Sequence, residues 1–151
     1  ERALDAQLVR RASACLELVR LGVLDPAATL VIAEAAASVL EVEGLNNSER
    51  EMGESELTQA LRAGLADEKV MSQIADGELG RSIIATLASA WVRAQMARRF
   101  HNDAVTHTRR IRRKALVRLL RLAGRAPMPT TIEMDDDLPV GLGDYDIRAD
   151  C

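Results

Sequence analysis

Three stretches of the chain hold residue types that do chemistry. The first is His101-Asn102-Asp103 with His107 close behind. Imidazole, amide and carboxylate together suggest a metal site or a proton relay. The two histidines, however, are six positions apart. On a continuous helix they point about 120° apart and cannot share one ligand. They read as exposed polar residues at a bend. The second stretch is the carboxylate-rich "MDDDLPVGLGDYDIRAD" near the C-terminus. A calcium-type oxygen cage needs ligands at fixed alternate positions and a closing Glu, and this run has neither. Its "GLGDYD" has no strand before it and no helix after it, so it does not form a phosphate loop. The third is Glu41, Glu43, Glu49 and Glu51 around one turn. The Glu-x-x-His pair that builds carboxylate metal sites in helical bundles is missing. Ser, Cys and His show no nucleophile arrangement. The expectation is a non-enzyme with no catalytic residue, no metal and no cofactor.

What remains is charge. Residues 106–129, "THTRRIRRKALVRLLRLAGRAPMP", interleave arginine with aliphatic residues. On a helical wheel Ile111, Ala115, Leu119 and Leu122 gather on one side. Arg110, Arg113, Lys114, Arg118 and Arg121 gather on the other, while Arg112 points into the apolar half. A helix dressed only for solvent mixes in Glu for i,i+4 pairing, yet no anion occurs between residues 104 and 132.

The net charge of −3 hides three blocks. Residues 1–96 carry 9 cations and 15 anions, residues 97–125 carry 10 and 1, and residues 126–151 carry 1 and 7. Segregation of this size bears on partners rather than on fold.

Three things can neutralise the basic face. One is nucleic acid, met through phosphates; with no stacking aromatics and no helix-turn-helix, zinc or RNP pattern, this would be duplex shape or phosphate recognition. Another is the acidic tail of this chain or of a neighbouring copy, where Glu133, Asp135, Asp136 and Asp137 could fold back over Arg118 and Arg121. The third, an anionic membrane surface, ranks last because the helix has no Trp or Phe on its apolar side. A solvated face beside an acidic body needs no partner at all.

The elements that must position these residues follow from composition. Aromatic residues are 2% of the chain, so Ala, Leu, Val and Ile build the core, and such a core favours helices. The 18 arginines against 2 lysines read as a trace of coding bias.

Helices are expected over about 2–22, 26–42, 48–65, 67–75 and 78–100, with a break at Phe100–Asp103 and a last helix over 104–123. Asp25-Pro26 is a helix start, Ser48 to Glu51 fits a capping box, and Gly124 is a stop. Gly53 weakens the third helix, whose start could fall at Ser55. Helices 26–42 and 78–100 should form the central pair. Leu79, Ile83, Ile84, Leu87, Trp91 and Ala94 should make one buried stripe. From Pro127 the helical period stops, and an extended tail follows.

The fold expected is all-α: a compact bundle of about five helices over 1–125 with an extended acidic tail over 126–151. No apolar run approaches a membrane span, and the first fourteen residues do not read as a secretory signal. Cys15 reads as a buried small hydrophobe, and two cysteines at opposite ends form no disulfide framework. A cytoplasmic location is the corresponding expectation.

The leading function is a non-catalytic assembly or adaptor protein, a homo-oligomer or a partner of another protein. In it, Arg110, Arg113, Lys114, Arg118 and Arg121 and the tail acids Glu133, Asp135, Asp136 and Asp137 contact partner subunits. The alternative is a nucleic-acid-binding helical protein using residues 98–125.

Overall fold

The computed structural model describes residues 2–41, 47–113 and 127–143. Among these residues the fold is all-α, with no strand. The helices are α1 (Arg2–Arg20), α2 (Pro26–Leu40), α3 (Asn47–Gly64), α4 (Glu68–Asp76) and α5 (Glu78–Arg112), followed by a single turn, α6 (Val140–Gly143).

Local signals set most of these ends. The Asp25 carboxylate accepts from the amides of Ala27 and Ala28 at 2.9 and 3.0 Å, with Pro26 in the first turn where its missing N–H costs nothing. Asp67 caps α4 in the same way through the Lys69 amide. Gly22, at φ +68°, closes α1 in the left-handed region that residues with a Cβ avoid. Gly80 allows the turn from α4 into α5 to be tight, since a Cβ there would lie 1.8 Å from the Ile74 carbonyl oxygen.

The central pair is α1 with α5, not α2 with α5. The two run antiparallel, Leu4 and Leu8 packing beside Ala94, and Arg11 lying over Trp91. Helix α3 runs parallel to α1, with Asp5 against Arg50 and Arg11 against Glu54 and Thr58. Helix α2 packs antiparallel to α3 on the outside, where Gly64 meets Ile32 and Gly53 meets Val39. It was expected at the centre because it is nearly uncharged. It buries only Ile32, Ala36 and Val39, and leaves Leu30 67% and Val31 54% exposed. Mean hydropathy measures how willing a helix is to be buried, whereas its partners decide which faces are covered.

Three further expectations change. The break at Phe100–Asp103 does not occur, and α5 continues for 35 residues, about 52 Å. Neither Gly nor Pro interrupts it after Gly80. Asn102, which competes with helical backbone when its side chain turns on neighbouring amides, instead bonds outward to residue 132. Leu79 lies 65% exposed, and Gly80 takes its place in the buried stripe with Ile83, Ile84, Leu87, Trp91 and Ala94. Helix α3 begins at Asn47 and passes through Gly53, which Val39 packs against.

Residues 127–139 are extended, as expected of the tail, but they are fitted into the bundle. They lie as a strap along the cleft between α3 and α5. Ile132 joins Leu4, Leu8 and Ala94 in one apolar cluster, and Leu142 of α6 joins the main core. The space left beneath the strap, among Leu8, Glu54, Ile132 and Met134, is about 10 Å³, at most one water. No helix among the described residues is long and apolar enough to cross a membrane.

Candidate interaction site

The polar residues of the fold converge on the strap, and the deepest is Arg11. It sits on the same face of α1 as Leu4, Leu8, Cys15 and Leu18, and its side chain is fully buried. It pairs with the buried Glu54 carboxylate of α3, donates to the Glu54 carbonyl at 3.1 Å and to Thr58 Oγ1 at 3.2 Å, and lays its guanidinium 4.6 Å from the centroid of the Trp91 ring. A desolvated cation over Trp is worth about 2 kcal/mol. Arg11 Nε has no hydrogen-bond partner. Burial pushes the Glu54 carboxyl above its ordinary value, outweighing the opposing pull of Arg11. Burial likewise pushes the Cys15 thiol up to about 12, so this cysteine is inert near neutral pH.

Above this cluster, both helices reach for the main chain of the strap. From α3, Thr58 Oγ1 donates to the Asp135 carbonyl at 2.8 Å, Ser55 Oγ accepts from the Asp135 amide at 3.0 Å, and Glu51 accepts from the Glu133 amide at 3.1 Å. From α5, Trp91 Nε1 and Gln95 Nε2 both donate to the Asp136 carbonyl, at 2.8 and 2.6 Å. Asn102 brackets Ile132, donating to its carbonyl at 3.0 Å and accepting from its amide at 2.9 Å. Arg109 and Arg112 donate to the carbonyls of Pro129 and Pro127, each at 2.8 Å. A buried extended chain cannot satisfy its own backbone groups. Here helix side chains do it in place of a neighbouring strand.

The tail acids meet the bundle, residue by residue. Asp136 is buried and receives a two-pronged contact from Arg98, Nε and Nη2 donating at 2.7 and 2.8 Å. Asp135 meets Arg62 at 3.1 Å, a partly exposed pair worth about 0–1 kcal/mol. Asp137 is exposed, its amide bonded to the Asp135 carboxylate, and the Glu133 side chain is exposed. Of the five basic candidates, Arg110 and Arg113 are exposed at the end of α5; Lys114, Arg118 and Arg121 lie outside the described residues. Arg110, Arg113 and the equally exposed Arg99 form no ion pair among the described residues. Ile111, on the apolar side of the wheel, is 40% exposed. Arg112, which the wheel placed in the apolar half, points there to reach Pro127.

His101 is engaged with the Thr130 carbonyl at 3.2 Å, and His107 is exposed. Among the described residues no three His, Cys, Asp or Glu side chains gather as metal ligands would. Sequence reasoning missed Arg11, Glu54, Thr58, Gln95 and Arg98. One signal was present: Arg11 interrupts the apolar stripe of α1, and a cation in that position needs a buried anion.

No family model, no curated protein and no solved structure matches the chain.

Proposed function

We propose that the protein is a non-catalytic helical assembly or adaptor protein whose basic face on α5 meets an acidic partner. The observation that carries this reading is a division of charge. The described tail acids Asp135 and Asp136 are engaged by Arg62 and Arg98, while Arg110 and Arg113 are exposed and meet no anion among the described residues. Asp135 and Asp136 therefore act within the fold, and among the described tail acids Glu133 and Asp137 remain outward. Lys114, Arg118 and Arg121 continue the basic run in sequence and belong to the same proposal.

Nucleic acid is the second reading. It is favoured by the spacing of Arg99, Arg110 and Arg113, which extends cations along about 21 Å of one helix, a length over which several phosphates lie. Fluorescence anisotropy with a labelled poly-glutamate peptide and a labelled DNA duplex separates the two. The adaptor reading expects the peptide to bind, and Arg110→Glu with Arg113→Glu to abolish binding. Duplex binding that is far tighter, and falls linearly on a log–log salt plot, would replace it with the nucleic-acid reading. Binding of neither probe would leave α5 a solvated face and end both.

A further inference from the structure

Among the described residues two apolar faces have no cover, and they carry opposite charge. The first is a groove of about 480 Å³ between α1 and the second half of α5. Its small residues, Ala3, Ala97 and Ala104, leave room for a helix to approach closely. Met96 and Phe100 stand beside them, 48% and 68% exposed. Met and aromatic residues are the types enriched where proteins meet. Arg93 lines the groove and is exposed. Gln7, also in its wall, holds an Oε1 with no hydrogen-bond partner.

The second face is the outer side of α2. Leu30 and Val31 project from it, and a shallow cleft of about 390 Å³ against α3 carries Glu34 and Glu56 with no cation. The two faces share no residue.

We infer that α2 of one copy docks in the α1/α5 groove of the next, so that the chain assembles head to tail with itself. The inference rests on the assembly reading and names its partner. Charge chooses this pairing over the symmetric ones. Groove against groove would oppose Arg93 to its own copy, and α2 against α2 would oppose Glu34 to Glu34. Head to tail, Leu30 and Val31 enter the apolar groove while Glu34 and Glu56 approach Arg93. A contact of this kind uses different surfaces on the two partners, so it propagates as an open chain or closes as a ring.

Sedimentation of the full chain from low micromolar to near-millimolar concentration tests it. The mass should rise with concentration and fall again in high salt. Arg93→Glu with Phe100→Ser spoils the groove, and Glu34→Arg with Glu56→Arg spoils the α2 face. Each double variant should remain monomeric at every concentration. Mixed one to one they should associate again, because the intact groove of one takes the intact α2 of the other. Phe100→Ser should weaken association of the parent chain at least about tenfold. Far-UV circular dichroism and a thermal melt establish that each variant is folded. A parent that stays monomeric throughout, variants that assemble as the parent does, or a mixture that stays monomeric would each overturn the inference. Arg110→Glu with Arg113→Glu should leave self-assembly unchanged. If self-assembly fails while poly-glutamate still binds, the self-docking contact falls and the adaptor reading stands.

Discussion

Three arginine pairs lie along α5 and its C-cap, and each pair divides the same way. Arg98, Arg109 and Arg112 turn to the strap, one gripping a carboxylate and two gripping carbonyls. Arg99, Arg110 and Arg113 turn to solvent. The residue type is identical and the positions are adjacent, so composition cannot tell the two sets apart. Helical geometry can. Residues 98, 109 and 112 fall within about 60° of one another on the wheel, and each neighbour is displaced by about 100°. One face of α5 closes the fold, and the other carries charge outward. All three members of the last turn, Arg109, Arg110 and Arg112, also oppose the helix dipole favourably, a benefit that does not depend on which way they point.

The largest expected effect lies with the most inward arginine of the molecule. Arg11→Met leaves the Glu54 carboxylate buried without its cation and should cost about 3–5 kcal/mol in denaturant unfolding. Arg11→Met with Glu54→Leu removes both charges and should recover most of that loss, or exceed the parent's stability by about 1–4 kcal/mol. A double variant as unstable as the single one would mean that the pair is worth more than the apolar packing that replaces it. The pH dependence has a fixed sign. The Glu54 carboxyl titrates higher in the folded chain than its ordinary 4.5, so the folded state holds the proton more tightly. Its contribution is fully present below pH 4.5 and is lost as pH rises through the raised value. Cys15 acts the same way at the alkaline end, between its ordinary 9.0 and about 12. The parent should lose stability across both windows. Glu54→Gln should flatten the acidic one and narrow the alkaline one, because the Glu54 carboxylate helps to raise the Cys15 thiol.

The next effect concerns the strap. Asp136→Asn keeps the shape of the side chain but removes the charge that Arg98 grips. It should cost about 1.5–3 kcal/mol, the range for hydrogen bonds to charged groups. Hydrogen exchange should report which part loosens. The amides of Glu133 and Asp135, held by Glu51 and Ser55, should exchange faster, while those of α1 should not. Uniform acceleration over the whole chain would show that the strap and the bundle open as one unit.

These expectations also mark where the sequence was legible. The helices were readable because signals such as Asp25-Pro26 act on their own neighbours within one or two turns. The strap was readable as extended, from its prolines and its lost helical period. Its destination was not. Asn102 and Ile132 are 30 residues apart, Thr58 and Asp135 are 77 apart, and nothing in either stretch names the other. Helix α2 misled for a related reason: its composition fits burial all round, but among the described residues it is α1 and α3 that cover it. Arg112 shows the limit in one residue. Its wheel position conflicted with its charge, and the conflict marked a hydrogen bond to a segment that no local pattern could place.

The smallest expected effect is the sharpest test of the two faces. Arg109→Ala removes a donor from the part-buried Pro129 carbonyl and should cost about 0.5–1.5 kcal/mol. Arg110→Ala, one position away, removes an exposed side chain with no ion pair among the described residues, and should change stability by less than about 0.5 kcal/mol. Poly-glutamate binding should respond in the opposite order, weakened by Arg110→Ala and little changed by Arg109→Ala. Charge and helix propensity are altered equally by the two substitutions, so neither can produce a difference between them. Only the direction in which each arginine points can. Two equal stability losses would mean that residues 109 and 110 share one environment, and the division of α5 into a closing face and an outward face would be lost with it.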